Sequence, residues 1–154
     1  MLKEKKMKKT ILLVLALILT ACSASTSAEF NKNLLKWQDA NIVHYRYNIF
    51  VSCFCAFRDD MPMTIEINNG EIVSITSVKG NIITPSDGLY DVVKSYAGME
   101  ALFEQLKGAF EDADRVEVIY DTVNGYPTSI AIDQIEAAVD DELYISVENF
   151  EVLK

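Results

Sequence analysis

The chain has 154 residues, with 14 basic against 23 acidic side chains, a formal net charge of −9, and half of its residues hydrophobic. That length is enough for one domain with a core of its own. So anionic a surface repels phosphate backbones and excludes a nucleic-acid partner, and it equally excludes a polybasic hold on anionic lipid headgroups.

The N-terminal segment is basic, with Lys3, Lys5, Lys6, Lys8 and Lys9, and is followed by an unbroken apolar run from Ile11 to Leu19. So short a run cannot cross a hydrocarbon core of about 30 Å, and its flanks are those of a secretory signal. Leu19-Thr20-Ala21-Cys22 comes next and resembles the lipobox of bacterial lipoproteins. Small residues before the cut enter the signal peptidase, and the thiol of Cys22 is the nucleophile that takes up a diacylglyceryl group. The resemblance implies a cleaved signal over 1–21, a lipidated tether over 22–28 and a single domain over 29–154. Met7-Lys8-Lys9-Thr10 also begins a workable signal, so Met1 and Met7 both stand as starts. Without the signal the domain has 9 basic against 22 acidic groups, a net −13. Attachment to the membrane then falls to the acyl chains, palmitate among them, at ~0.8 kcal/mol per buried CH₂. Ser23, where an Asp would retain the protein at the inner membrane, implies outer-membrane sorting if the cell is Gram-negative.

Phe30, Leu34 and Trp37 recur at the spacing of one helical face. Val43, Tyr45, Tyr47, Ile49, Val51, Cys53 and Cys55 then alternate with His44, Arg46, Asn48 and Ser52, which predicts a long half-buried strand with His44 on the wet face. Met63–Ile67 and Ile72–Ile75 form a hairpin around Asn68-Asn69-Gly70. A three-residue loop, pairing Ile65 with Val73 and Met63 with Ile75, keeps its apolar residues on one side and is the expected register. Lys79 to Gly98 has no clear period and reads as a surface excursion or binding loop. Leu102, Phe103, Leu106, Ala109 and Phe110 predict a helix over Met99–Glu111, and strands follow at Arg115–Tyr120, Ser129–Asp133 and Leu143–Val147. The order α-β-β-β-α-β-β-β predicts an α+β fold: an antiparallel sheet of about six strands with helices packed on one face.

Trp37, Tyr45-x-Tyr47, Cys53-x-Cys55, the Asn-Gly hairpin, Leu102-Phe103, Tyr120-Asp121, Gly125-Tyr126-Pro127-Thr128, Ile130-x-Ile132-Asp133 and Asp140-Asp141-Glu142 follow one another in order. Together they resemble a domain-of-unknown-function family of small bacterial lipoproteins, and the likeness covers nearly all of the predicted domain. It implies no activity, substrate or catalytic residue. The architecture is also similar to small periplasmic inhibitors and peptidase propeptides, which carries nothing about function.

Cys53 and Cys55 are the residues with the most chemical potential, and an oxidising compartment favours a disulfide between them. In a straight strand such positions lie ~6.6 Å apart, so a bridge needs the chain to curl at the strand end. A redox-active dithiol, free thiols and metal ligands stay open beside it; Cys53, Cys55, Met61 and Met63 are the soft sulfur set that suits Cu(I). Asp121 and Asp133 could meet at strand ends to hold Ca²⁺, although turn caps and a solvated face explain the acidic residues better. Tyr45, Tyr47, Tyr120, Tyr126 and Tyr144 could form a recognition surface or serve as ordinary strand residues. No Gly-x-Ser-x-Gly elbow or glycine-rich phosphate loop is present, and the single His44 lacks a nucleophile at recognisable spacing. The expectation is a non-enzymatic envelope lipoprotein with no catalytic residue and no cofactor. Its partners are the membrane, through lipid, and an envelope protein or small ligand. The alternative is a thiol-redox or Cu(I)-handling protein.

Overall fold

The computed structural model describes residues 27–53, 55 and 57–154; the predicted signal, Cys22 and the start of the tether lie outside them. Helix α1 occupies 27–40, and its Phe30, Leu34 and Trp37 face inward as their spacing requires. Strand β1 (His44–Ser52) follows, then a 3₁₀ turn (Arg58–Asp60), β2 (Met63–Asn68), β3 (Glu71–Thr76), the short helix α2 (Tyr90–Lys94), α3 (Met99–Asp112), β4 (Arg115–Tyr120), β5 (Pro127–Asp133) and β6 (Glu142–Val152). The six strands form one antiparallel sheet in the order β3-β2-β1-β6-β5-β4. The fold is therefore α+β, in the element order that the periodicities predict, with α2 added inside the unpatterned stretch.

Alternation decides which sheet face is covered. Tyr45, Tyr47, Ile49 and Val51 of β1, Met63, Ile65 and Ile67 of β2, Ile130 and Ile132 of β5, and Ile145 and Val147 of β6 are all buried. They meet the stripe of α3, where Leu102, Phe103, Leu106 and Ala109 are buried in turn. Helix α1 seals the same layer: the ring of Phe30 stands edge-on to Phe103 at 5.8 Å and to Phe110 at 5.7 Å. Each such pair adds about 0.5–1.5 kcal/mol beyond area burial.

Two local features differ from the sequence reading, and a bulge causes each. The β2–β3 hairpin turns on two residues, not three: Asn68 pairs with Glu71, and Asn69 and Gly70 take φ +52° and +77°. Two positive φ values in succession suit a primed hairpin turn. The register then shifts between Glu66 and Ile67, so that Ile65 pairs with Ile75 and Ile67 with Ile72. Val73 is left 55% exposed. The bulge thus restores the face consistency that the longer loop was invoked to supply.

Strand β6 also runs past Val147 to Val152. Asn149 has φ +52°, and the β1–β6 register shifts between Arg46 and Asn48. The extra residue lets Phe150, not Asn149, turn to the core side, where its ring lies 4.4 Å from Tyr126 and 5.4 Å from Tyr45. Strict alternation breaks at that point, which is why periodicity ends the strand early.

Candidate functional site

The aromatic and aliphatic members of the recognised sequence pattern, Trp37, Tyr45, Tyr47, Leu102 and Phe103 among them, build the interior. The Tyr45 hydroxyl accepts the Met99 N–H at 3.0 Å and donates to Glu100 Oε2 at 3.3 Å. The Tyr47 hydroxyl accepts the Gly98 N–H at 2.7 Å. Trp37 Nε1 donates to Glu100 Oε1 at 2.9 Å. No side chain at Gly98 caps α3, so two tyrosines reach from β1 to satisfy N–H groups at its start. Burial pushes both phenols well above their ordinary pKa, with the Glu100 carboxylate adding to the effect, so both stay neutral donors.

Gly125 has the same architectural character. At φ +80°, a Cβ there would sit 2.4 Å from the Asn33 carbonyl oxygen and 2.7 Å from Lys36 Cβ. The loop therefore lies directly against α1. Lys36 Nζ donates to the Thr122 carbonyl at 2.9 Å, and Asp121 Oδ1 accepts the N–H groups of Val123 and Asn124 at 3.1 and 2.6 Å. Asp121 thus caps its own turn. It closes β4 whereas Asp133 pairs with Arg115 at the opposite end of the β4–β5 hairpin. Six residues of strand put the two carboxylates ~20 Å apart, so they do not converge on one cation. Among the described residues no group of three His, Cys, Asp or Glu side chains is placed to hold a metal ion.

Cys53 and Cys55 lie just past the end of β1, with their Cα atoms 5.2 Å apart and their sulfur atoms paired. The chain curls there, as a bridge requires: the Cys55 N–H donates to the Cys53 carbonyl at 2.8 Å. Of the other two sulfur residues, Met61 is buried and Met63 is wholly enclosed in the core, paired across strands with Ile49. Their thioethers serve packing. His44 projects from the open side of the sheet and pairs with Glu66 at 2.9 Å.

Of the five tyrosines considered for recognition, Tyr45, Tyr47 and Tyr126 are buried, and Tyr120 stacks at 6.3 Å on Phe103. Tyr144 alone is exposed, at 43%, its hydroxyl accepting from Ser129 Oγ at 3.5 Å. It belongs to the sheet face opposite the helices. Strand register lays Ser52, Tyr144, Ala131 and Glu117 in one row across β1, β6, β5 and β4. The next row is Phe50, Ser146, Ser129 and Ile119, and on the other side of the first stand Glu142, Asp133 and Arg115. Ala131, Ser129 and Ser146 are short, so the floor drops between taller side chains.

The result is a trough in two parts. A cavity of about 400 Å³ includes Cys53, Arg58, Arg115, Asp133, Glu142 and Tyr144 in its lining. A second, of about 290 Å³, is lined by Phe50, Pro62, Glu148 and others, and the two share Tyr144. Arg115 is paired with Glu117. The Asp133 carboxyl is held above its ordinary pKa by desolvation and by the neighbouring carboxylates of Asp141, Glu142, Glu136 and Asp114. Sequence reading singled out Cys53 and Tyr144 but did not join them to Arg115, Asp133 and Glu142. The available signal was the run of small residues at the outward positions of β5 and β6.

A family model described as a family of unknown function, DUF6174, matches residues 29–152. No curated protein and no solved structure matches the chain.

Proposed function

The chain belongs to this family of unknown function, and we propose that it is a lipid-anchored, non-enzymatic binding domain of the bacterial cell envelope. The open face of the sheet carries this reading. One face of the sheet is committed to the core, while the other presents a trough with an exposed aromatic ring amid charged groups. A largely preformed concavity with a few polar groups is where ligands settle.

Anchoring rests on the apolar run and on Leu19-Thr20-Ala21-Cys22. The lipid would hold Cys22 at the bilayer, and the tether and α1 would connect it to the sheet. The Cys53–Cys55 pair fits a disulfide staple that fixes the curl at the rim of the trough. A non-enzymatic role agrees with the burial of Tyr45 and Tyr47, whose hydroxyls stay neutral and are engaged at the start of α3.

The test is site-specific photocrosslinking in intact cells. A crosslinking amino acid replaces Tyr144 in the trough or, as the control, Lys107 on the exposed side of α3. Discrete adducts from position 144 and none from 107 are expected. Equal adducts from both, or none from 144, would overturn binding through this face.

A further inference from the structure

We infer that the occupant of the open-face trough is a basic, extended segment of a partner protein; this rests on the binding reading above and names the chemistry of what is bound. Shape supports an extended chain. From Glu142 to Glu148 the trough follows β6 along one face, about 20 Å of strand, which matches roughly six extended residues. The two cavities meet at Tyr144, so an occupant can run from one to the other.

Charge supports a basic one. Glu117, Asp133, Asp140 and Glu142 line one cavity and Glu148 the other, against Arg58 and Arg115. Arg115 is already engaged by Glu117, and Asp133 faces further carboxylates at Asp114, Glu136 and Asp141. An acidic ligand would add to this repulsion, and a cationic one would relieve it. A bare metal ion fits less well, because the carboxylates are strung along the trough and among the described residues do not gather into a ligand set. Tyr144 stands between the two acidic ends with its ring exposed. Lysine and arginine suit such a site, since the aliphatic stem packs on the ring while the charged head reaches a carboxylate. Alternate side chains of an extended segment point to the same side, so every second basic residue would face the trough.

The experiment measures fluorescence anisotropy of a labelled alternating Lys-Ala peptide of about ten residues, titrated with the full-length protein in a non-ionic detergent. An alternating Glu-Ala peptide is the control. The expected result is saturable binding of the basic peptide only, weakened about tenfold by Asp133→Asn with Glu142→Gln. Tyr144→Ala should weaken it as well. Glu104→Gln with Glu111→Gln removes the same charge from α3 and should change affinity less than about twofold. Equal weakening by the two charge-removing pairs would mean diffuse attraction to an anionic protein and would overturn the inference, as would binding of the acidic peptide or no binding of the basic one. The crosslinks from position 144 separate this from failure of the parent reading. An adduct whose partner peptide is acidic or neutral defeats the basic segment while leaving binding through the face intact, and no adduct at all defeats the face.

Discussion

Replacing Gly125 and Gly80 each by alanine tests whether the Gly125-Tyr126-Pro127 turn is built around a close approach to α1. Both glycines are left-handed, at φ +80° and +81°. A Cβ in that region costs about 1–2 kcal/mol, and this cost is common to the two substitutions. What differs is space: Gly80 has nothing within 4 Å of the added carbon, whereas at Gly125 the Asn33 carbonyl oxygen would lie at 2.4 Å and Lys36 Cβ at 2.7 Å. Both obstacles are close to the α1 backbone, so the loop or the helix must move, and forced repacking adds about 1–3 kcal/mol. Gly80→Ala should therefore lose about 1–2 kcal/mol, and Gly125→Ala about 2–5 kcal/mol in all. Urea titration followed by tryptophan emission measures both, because Trp37 is the only tryptophan and lies 6.1 Å from the Tyr126 ring. Equal losses at the two positions would refute the argument from contact.

Three further outcomes follow from the same structure. Tyr47→Phe leaves the Gly98 N–H without its partner and should cost about 1–3 kcal/mol, read as a lower urea midpoint at unchanged slope. Stability should fall as pH rises past about 10, the ordinary tyrosine value, since the unfolded chain releases phenolic protons that folded Tyr45 and Tyr47 retain. Tyr45→Phe should make that alkaline decline shallower in a series of melts across pH. Cys53→Ser with Cys55→Ser opens a ring closed over a sequence separation of only 2; loop entropy limits the loss to about 1.5 kcal/mol, and a loss of several kcal/mol in the urea midpoint would contradict this.

The fold was legible wherever burial imposed a strict period. Tyr45, Tyr47, Ile49 and Val51 declare β1, and Leu102, Phe103, Leu106 and Ala109 declare α3, because a one-residue slip would expose every member of the set. It became illegible where one residue was inserted. Val73 and Asn149 each interrupt an alternation, and only the partner strand shows that the ladder resumes beyond. Helix α2, of five residues, is too short for a period to emerge. The trough was harder still. Its members come from the outward positions of four strands and the Arg58 turn, and outward residues answer to no packing rule that a single sequence displays. Tyr144 is out of phase with Ile145 and Val147, whereas Tyr47 is in phase with Ile49 and Val51, so parity separates the two; which residues stand beside Tyr144 follows only from the strand order.

The proposal of a membrane-bound domain is tested most directly by the mass of the N-terminal peptide from protein isolated from its native envelope. The account predicts a peptide beginning at Cys22 with the mass of an acylated glyceryl thioether on its sulfur, and retention of the whole protein in the detergent phase. A peptide with an unmodified Cys22, from a protein that partitions into water, would contradict it.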